Sequence, residues 1–154
     1  MLHVTFMNLV YSIWIVGSSN IKRAEQFAKS SPELGTDLSL PDVKVVWKGI
    51  PGLGFDKLHD VIYDLSSTKP HPRFLIIHVG GNDIAKDDNP LRRQQMFTKN
   101  VINQLRSEMP LTCVIWSHIL PWLYWRHAVS NVAADRSRCR INSSVASFVQ
   151  AVLR

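Results

Sequence analysis

Three corners of the chain, Gly17-Ser18-Ser19-Asn20, Gly49-Ile50-Pro51-Gly52 and Gly80-Gly81-Asn82-Asp83, carry residue types that could act on one carbonyl. Ser19 falls where an apolar run gives way to a helical pattern. Free backbone N–H groups and the helix dipole at such a turn favour developing negative charge, which suits a hydroxyl nucleophile. The same position equally suits Ser18 or Ser19 as a helix cap. Gly52 lies in a glycine-proline loop whose backbone N–H can approach a ligand, or which is simply a turn. Asn82 offers an uncharged amide donor. Backbone and asparagine donors aimed at one point would form an oxyanion hole, each donor lowering the barrier by about 3 kcal/mol. Asp83 reads either as a residue orienting the neighbouring loops or as an ordinary Asx turn.

Those corners need a scaffold that brings them to one edge. Ser12–Gly17, Val43–Gly49, Arg73–Gly80 and Leu111–Ile119 are apolar, β-branched runs suited to strands covered on both faces. Between them, Ile21, Ala24, Phe27 and Ala28, then Leu58, Val61, Ile62 and Leu65, then Phe97, Val101, Leu105 and Met109 recur at helical spacing. Asn89 and Pro90 open the third helix as N-cap and first residue. A long or broken last helix is expected from about Arg126 to the end, with Val132, Ile141, Val145, Phe148 and Val152 inward. Four strand–helix alternations predict an α/β, doubly wound, flavodoxin-like three-layer sandwich with a parallel sheet. Ligands in such sheets bind at the carboxyl ends of the strands, where strand order reverses. All three corners follow strands.

The chain has 154 residues, enough for one domain spanning 1–154, and 45% of them are hydrophobic, which excludes a disordered chain. No apolar run reaches the roughly 20 residues of a membrane helix. The apolar start has neither a basic n-region nor a small-residue cleavage site. With two cysteines, Cys113 and Cys139, an intracellular, cytoplasmic location is expected. Of the net charge of +6, +4 falls in residues 121–154, where Arg126, Arg136, Arg138, Arg140 and Arg154 face Asp135 alone. Arg136, Arg138 and Arg140 are therefore candidates for contact with nucleic acid, set against a merely solvated helix face. Oligomeric state is not readable.

Taken together the corners resemble the sequence blocks of the SGNH (GDSL-type) hydrolases, mostly esterases and acylhydrolases on a small doubly wound parallel sheet. "IVGSSNI" stands as the first block with Ser19 as nucleophile, although Ser18 replaces the usual aspartate. "WKGIPGLGF" matches the second through Gly49 and Gly52, with Trp47 in place of asparagine. "VGGNDI" matches the Gly-x-Asn-Asp block without departure. "WSHILPW" and the last helix also look like the esterase-like domains of retrotransposon-derived vertebrate proteins. The resemblance implies catalytic roles for Ser19, Gly52 and Asn82, a rim including Ser18, Gly81, Asp83 and His118, an ester or acylated small molecule as substrate, and no cofactor or metal.

The family's Asp-x-x-His block, normally after a fifth strand, has no counterpart following the fourth strand. Asp56-Lys57-Leu58-His59 has the spacing, but it belongs to the helix after the second strand and faces away from Ser19. A serine without a base is a poor nucleophile. The expectation is thus a C-terminally incomplete domain, lacking the fifth strand, and an inactive or nearly inactive chain: a truncated enzyme or a pseudoenzyme that still binds ligand. His118 is the candidate surrogate base, and His78, inside the third strand, reads as a satisfied core histidine. The aromatic group Trp116, Trp122, Tyr124 and Trp125 is either a pocket wall or the seat of the last helix.

Overall fold

The computed structural model describes residues 10–84 and 90–152. Strands β1 (Tyr11–Gly17), β2 (Val43–Gly49), β3 (Phe74–His78) and β4 (Cys113–Trp116) alternate with helices α1 (Ser19–Ser30), α2 (Leu58–Thr68), α3 (Pro90–Glu108) and α4 (Asn131–Val152). The strands form one parallel sheet in the order β2-β1-β3-β4. This is the doubly wound α/β arrangement expected from the alternation of elements. The chain steps from β1 to one side for β2, then crosses back to place β3 on the other side. Strand order therefore reverses between β1 and β3, and a crevice opens at their carboxyl ends.

The register explains the burial. Trp14, Leu75 and Val114 occupy one row across β1, β3 and β4, and all are buried in the main core with Leu58, Ile62, Leu65, Val101 and Leu105 from α2 and α3. Their neighbours Ile15, Ile76 and Ile115 form the next row and point to the opposite face. There burial fades from β1 outward: Ile15 is 8% exposed, and Ile115 reaches 40%. Helix α1 packs against β1 and β2, so that face of β3 and β4 stays partly open.

Several boundaries differ from the sequence expectation. The third and fourth strands are shorter than Arg73–Gly80 and Leu111–Ile119, although bonds continue at their margins, where the Arg73 N–H donates to the Ser12 carbonyl at 2.8 Å and the Ser117 N–H to the Ile77 carbonyl at 2.9 Å. In α1, Ala28 is buried while Phe27 is 66% exposed. The helix lies so close to β2 that a Cβ on Gly49 would sit 2.2 Å from the Lys22 nitrogen. So close an approach seats a small alanine inward and leaves the phenyl ring outside. Helix α4 begins at Asn131, not near Arg126. Ser130 ends the preceding loop, its Oγ accepting from the Ala133 N–H at 3.3 Å and its carbonyl from the Ala134 N–H at 3.0 Å. Val132 is consequently outside the core, 63% exposed. Asn89 lies outside the described residues. Among the described residues no helix is long and apolar enough to cross a membrane.

Candidate active site

A cleft of about 720 Å³ opens at the β1/β3 crevice, and Ser19, Gly52 and Asn82 all line it. Each arrives from a different crossing. Ser19 is the first residue of α1, separated from the end of β1 by Ser18 alone. Gly52 follows β2 with φ of +78°, a conformation that glycine adopts without strain. Asn82 follows β3, and its Nδ2 donates to the Leu53 carbonyl at 3.1 Å. That bond ties the Asn82 loop to the Gly52 loop and uses one of the two amide protons, leaving the other able to donate elsewhere.

Asp83 connects the same two loops, its Oδ2 accepting from the Phe55 N–H at 3.3 Å. Ser18 is the N-cap residue of α1 but makes no side-chain cap bond. It is buried, with its amide donating to the His78 carbonyl at 3.3 Å and its carbonyl accepting from Ile21 at 3.1 Å and Lys22 at 3.3 Å. Gly81 sits under an indole: a Cβ there would lie 2.7 Å from Trp122 Cζ2. Its lack of a side chain makes room for the protein's own ring.

The described histidines lie elsewhere. His118 is exposed and does not line the cleft. His59 is bonded to Glu108, with Nε2 at 3.0 and 3.1 Å from the two carboxylate oxygens. His78 is buried at the end of β3, its Nε2 3.4 Å from Asn20 Nδ2 and its Nδ1 3.1 Å from Ser117 Oγ. An amide N–H at Nε2 requires that nitrogen to accept, so the proton sits on Nδ1 and is donated to Ser117. Burial lowers the His78 pKa from its usual value and keeps the ring neutral.

The remaining wall is the segment after β4. Leu120, Pro121, Trp122, Leu123, Tyr124 and Arg126 line the cleft. Of the aromatic group, Trp122 and Tyr124 belong to this wall, while Trp125 is buried with Ala134, Ile141 and Val145 beneath α4. The two roles foreseen for the cluster are divided between its members. Trp122 and Trp125 stack at 5.0 Å between centroids, joining wall to core. Helix α4 anchors the segment through Asn142, whose Oδ1 accepts from the Ile119 N–H at 2.8 Å and whose Nδ2 donates to the Ile119 carbonyl at 3.0 Å.

Arg138 is part of the same anchor. It pairs with Asp135, Nε to Oδ1 at 2.7 Å, and donates to the Ile119 carbonyl at 3.3 Å. The pairing raises the Arg138 pKa and lowers that of Asp135. One of the three arginines considered for nucleic acid is thus engaged within the fold, while Arg136 and Arg140 are exposed. Among the described residues no cluster of metal-binding side chains occurs. Sequence reasoning passed over Asn20, Arg23 and Arg126 as lining residues. Arg23 carried a signal, since it lies four residues after Ser19 and so on the same helical face.

No family model and no curated protein matches the chain. Solved structures do match it in fold. A GDSL-like lipase from Bacteroides thetaiotaomicron superposes with a TM-score of 0.64 and 13% identity, covering 98% of this chain and 68% of that one. An acetylxylan esterase from Geobacillus stearothermophilus gives 0.58 and 14%, covering 92% and 73%. An SGNH-hydrolase family esterase gives 0.60 and 13%, covering 91% and 72%. The chain spans 64% of the length of another match, from Streptococcus pneumonia. The fold is that of the SGNH hydrolases.

Proposed function

We propose that this chain carries an SGNH-type acyl-ester site whose serine lacks its base, so that the site binds esters and turns them over slowly or not at all. The observation that supports the reading is the meeting of Ser19, Gly52 and Asn82 around one cleft at the switch point of the sheet. Ser19 Oγ would attack the ester carbonyl, its proton leaving to solvent as the C–O bond forms. The negative charge arising on the carbonyl oxygen would be held by the Ser19 and Gly52 N–H groups and the Asn82 amide. Asp83 would hold the loops that carry two of those donors.

Among the described residues no histidine lines the cleft, so none of them stands ready to receive the Ser19 proton. Loss of that partner lowers the rate by about four to six orders of magnitude, while an oxyanion hole alone still retains some acceleration over water. The site is therefore a receptor for acyl esters more than a catalyst. His78 does not supply the missing base, because its ring bonds Asn20 and Ser117.

Two measurements test this. Incubation with p-nitrophenyl butyrate is expected to show little turnover. Release at the rate of an intact serine esterase that vanishes in Ser19→Ala would overturn the missing-base argument. Thermal stabilisation by the neutral ester phenyl butyrate is expected to survive Ser19→Ala and to fall in Asn82→Ala. Binding indifferent to Asn82→Ala would overturn the acyl-ester site itself.

A further inference from the structure

We infer that the ester accepted by this cleft carries an anionic group, a carboxylate or phosphate, held by Arg23 and Arg126. The inference rests on the acyl-ester reading of the same site and specifies its substrate class.

The cleft is lined by two guanidinium groups and, among the described residues, by no carboxylate. The arginines come from separate elements. Arg23 stands one turn after Ser19 on α1, and Arg126 lies in the segment between β4 and α4. Both are exposed. Other basic residues with an acid in reach use it: Lys29 pairs with Glu25 and Arg138 with Asp135. Neither Arg23 nor Arg126 has an ion pair or side-chain hydrogen bond among the described residues, so their donors are free for a ligand. The first turn of α1 contains no acidic residue, so the helix dipole adds to the positive potential around Ser19.

The rest of the lining gives the other half of the ligand. Leu120, Trp122, Leu123 and Tyr124 present apolar area beside the arginines, and Leu123 is fully exposed. An uncharged ester would cover this apolar wall but leave both guanidinium groups to water. An amphipathic ester with one oxyacid group would engage both, because guanidinium presents a planar fork of donors that matches carboxylate and phosphate oxygens. The same charges would draw the anion in from solution, and added salt would screen that attraction.

The test compares three ligands that share a phenyl ester: phenyl butyrate, monophenyl succinate with a carboxylate on the acyl side, and 4-(butyryloxy)phenyl phosphate with a phosphate on the alcohol side. Affinities are measured by calorimetry on the intact chain and on the Arg23→Gln/Arg126→Gln double variant, whose substitutions remove no side-chain bond among the described residues. At least one anionic ligand is expected to bind about tenfold more tightly than phenyl butyrate. That ratio should fall to near one in the double variant and shrink with added salt. Which ligand gains identifies the side of the ester that bears the charge. No gain for either anion, or a gain that persists in the double variant, overturns the inference. Failure of the acyl-ester reading shows separately, as phenyl butyrate binding that ignores Asn82→Ala.

Discussion

Asn142, buried on the last helix, bonds both the N–H and the carbonyl of Ile119, the residue from which the cleft wall departs. The amide of one side chain thereby satisfies a buried peptide segment outside the sheet. It also couples α4 to the position of Leu120–Arg126. Asn142→Ala would leave the Ile119 amide and one carbonyl lone pair without this partner. Loss of about 2–4 kcal/mol of stability is expected, measured by urea unfolding. A loss below about 0.5 kcal/mol would mean water replaces the clamp at little cost.

Gly81→Ala tests the packing of the wall. The backbone at Gly81 is outside the left-handed region, so alanine adds no dihedral strain, only a methyl 2.7 Å from Trp122. That ring cannot retreat easily, because it stacks on the buried Trp125. The expected result is destabilisation of about 1–3 kcal/mol with a change in tryptophan fluorescence. An unchanged emission spectrum together with unchanged stability would show the wall to be loose.

His78 supplies a pH dependence. Its folded pKa lies below the ordinary 6.5 because burial disfavours the charged ring. Below about 6.5 the unfolded chain therefore takes up a proton that the folded chain refuses, and stability falls as pH drops towards the folded pKa. Above that window the contribution is fully present. His78→Gln should flatten this part of the stability–pH profile, read as the difference between wild-type and variant unfolding curves. Parallel profiles would remove His78 as the cause.

The two faces of the sheet should respond unequally. Ile77 is completely buried in the main core, whereas Ile115 is 40% exposed. Ile77→Ala is expected to cost about 2–5 kcal/mol and Ile115→Ala less than about 1.5 kcal/mol. Equal losses in chemical denaturation would mean that the α1 side of β4 is covered in solution.

The match between chain and structure depends on distance along the sequence. The β1 and β2 runs read correctly because period and composition act locally: Val43–Gly49 is a strand at the bounds expected, and Ser12–Gly17 gains only Tyr11. Helix faces read less well where packing distance decides them, as with Phe27 in α1. The helix N-terminus at Asn131 was set by Ser130 and by the Trp125–Asn131 bond, at 2.9 Å, neither of which appears in a hydrophobic pattern. Asn142 showed nothing in the sequence, because its partner Ile119 lies 23 residues away.

The sequence by itself determined the alternation of strands and helices, and with it a parallel sheet whose loops share one edge. Apolar periodicity and turn chemistry are local properties that need no partner to be read. Only the tertiary structure decided what surrounds Ser19: that Arg23 and Arg126 join the cleft, that His118 does not, and that Arg138 is spent on an anchor. Those outcomes follow from the crossing that places β3 beside β1 and from side chains meeting across long loops, where orientation is set by the whole core and not by neighbours in the chain.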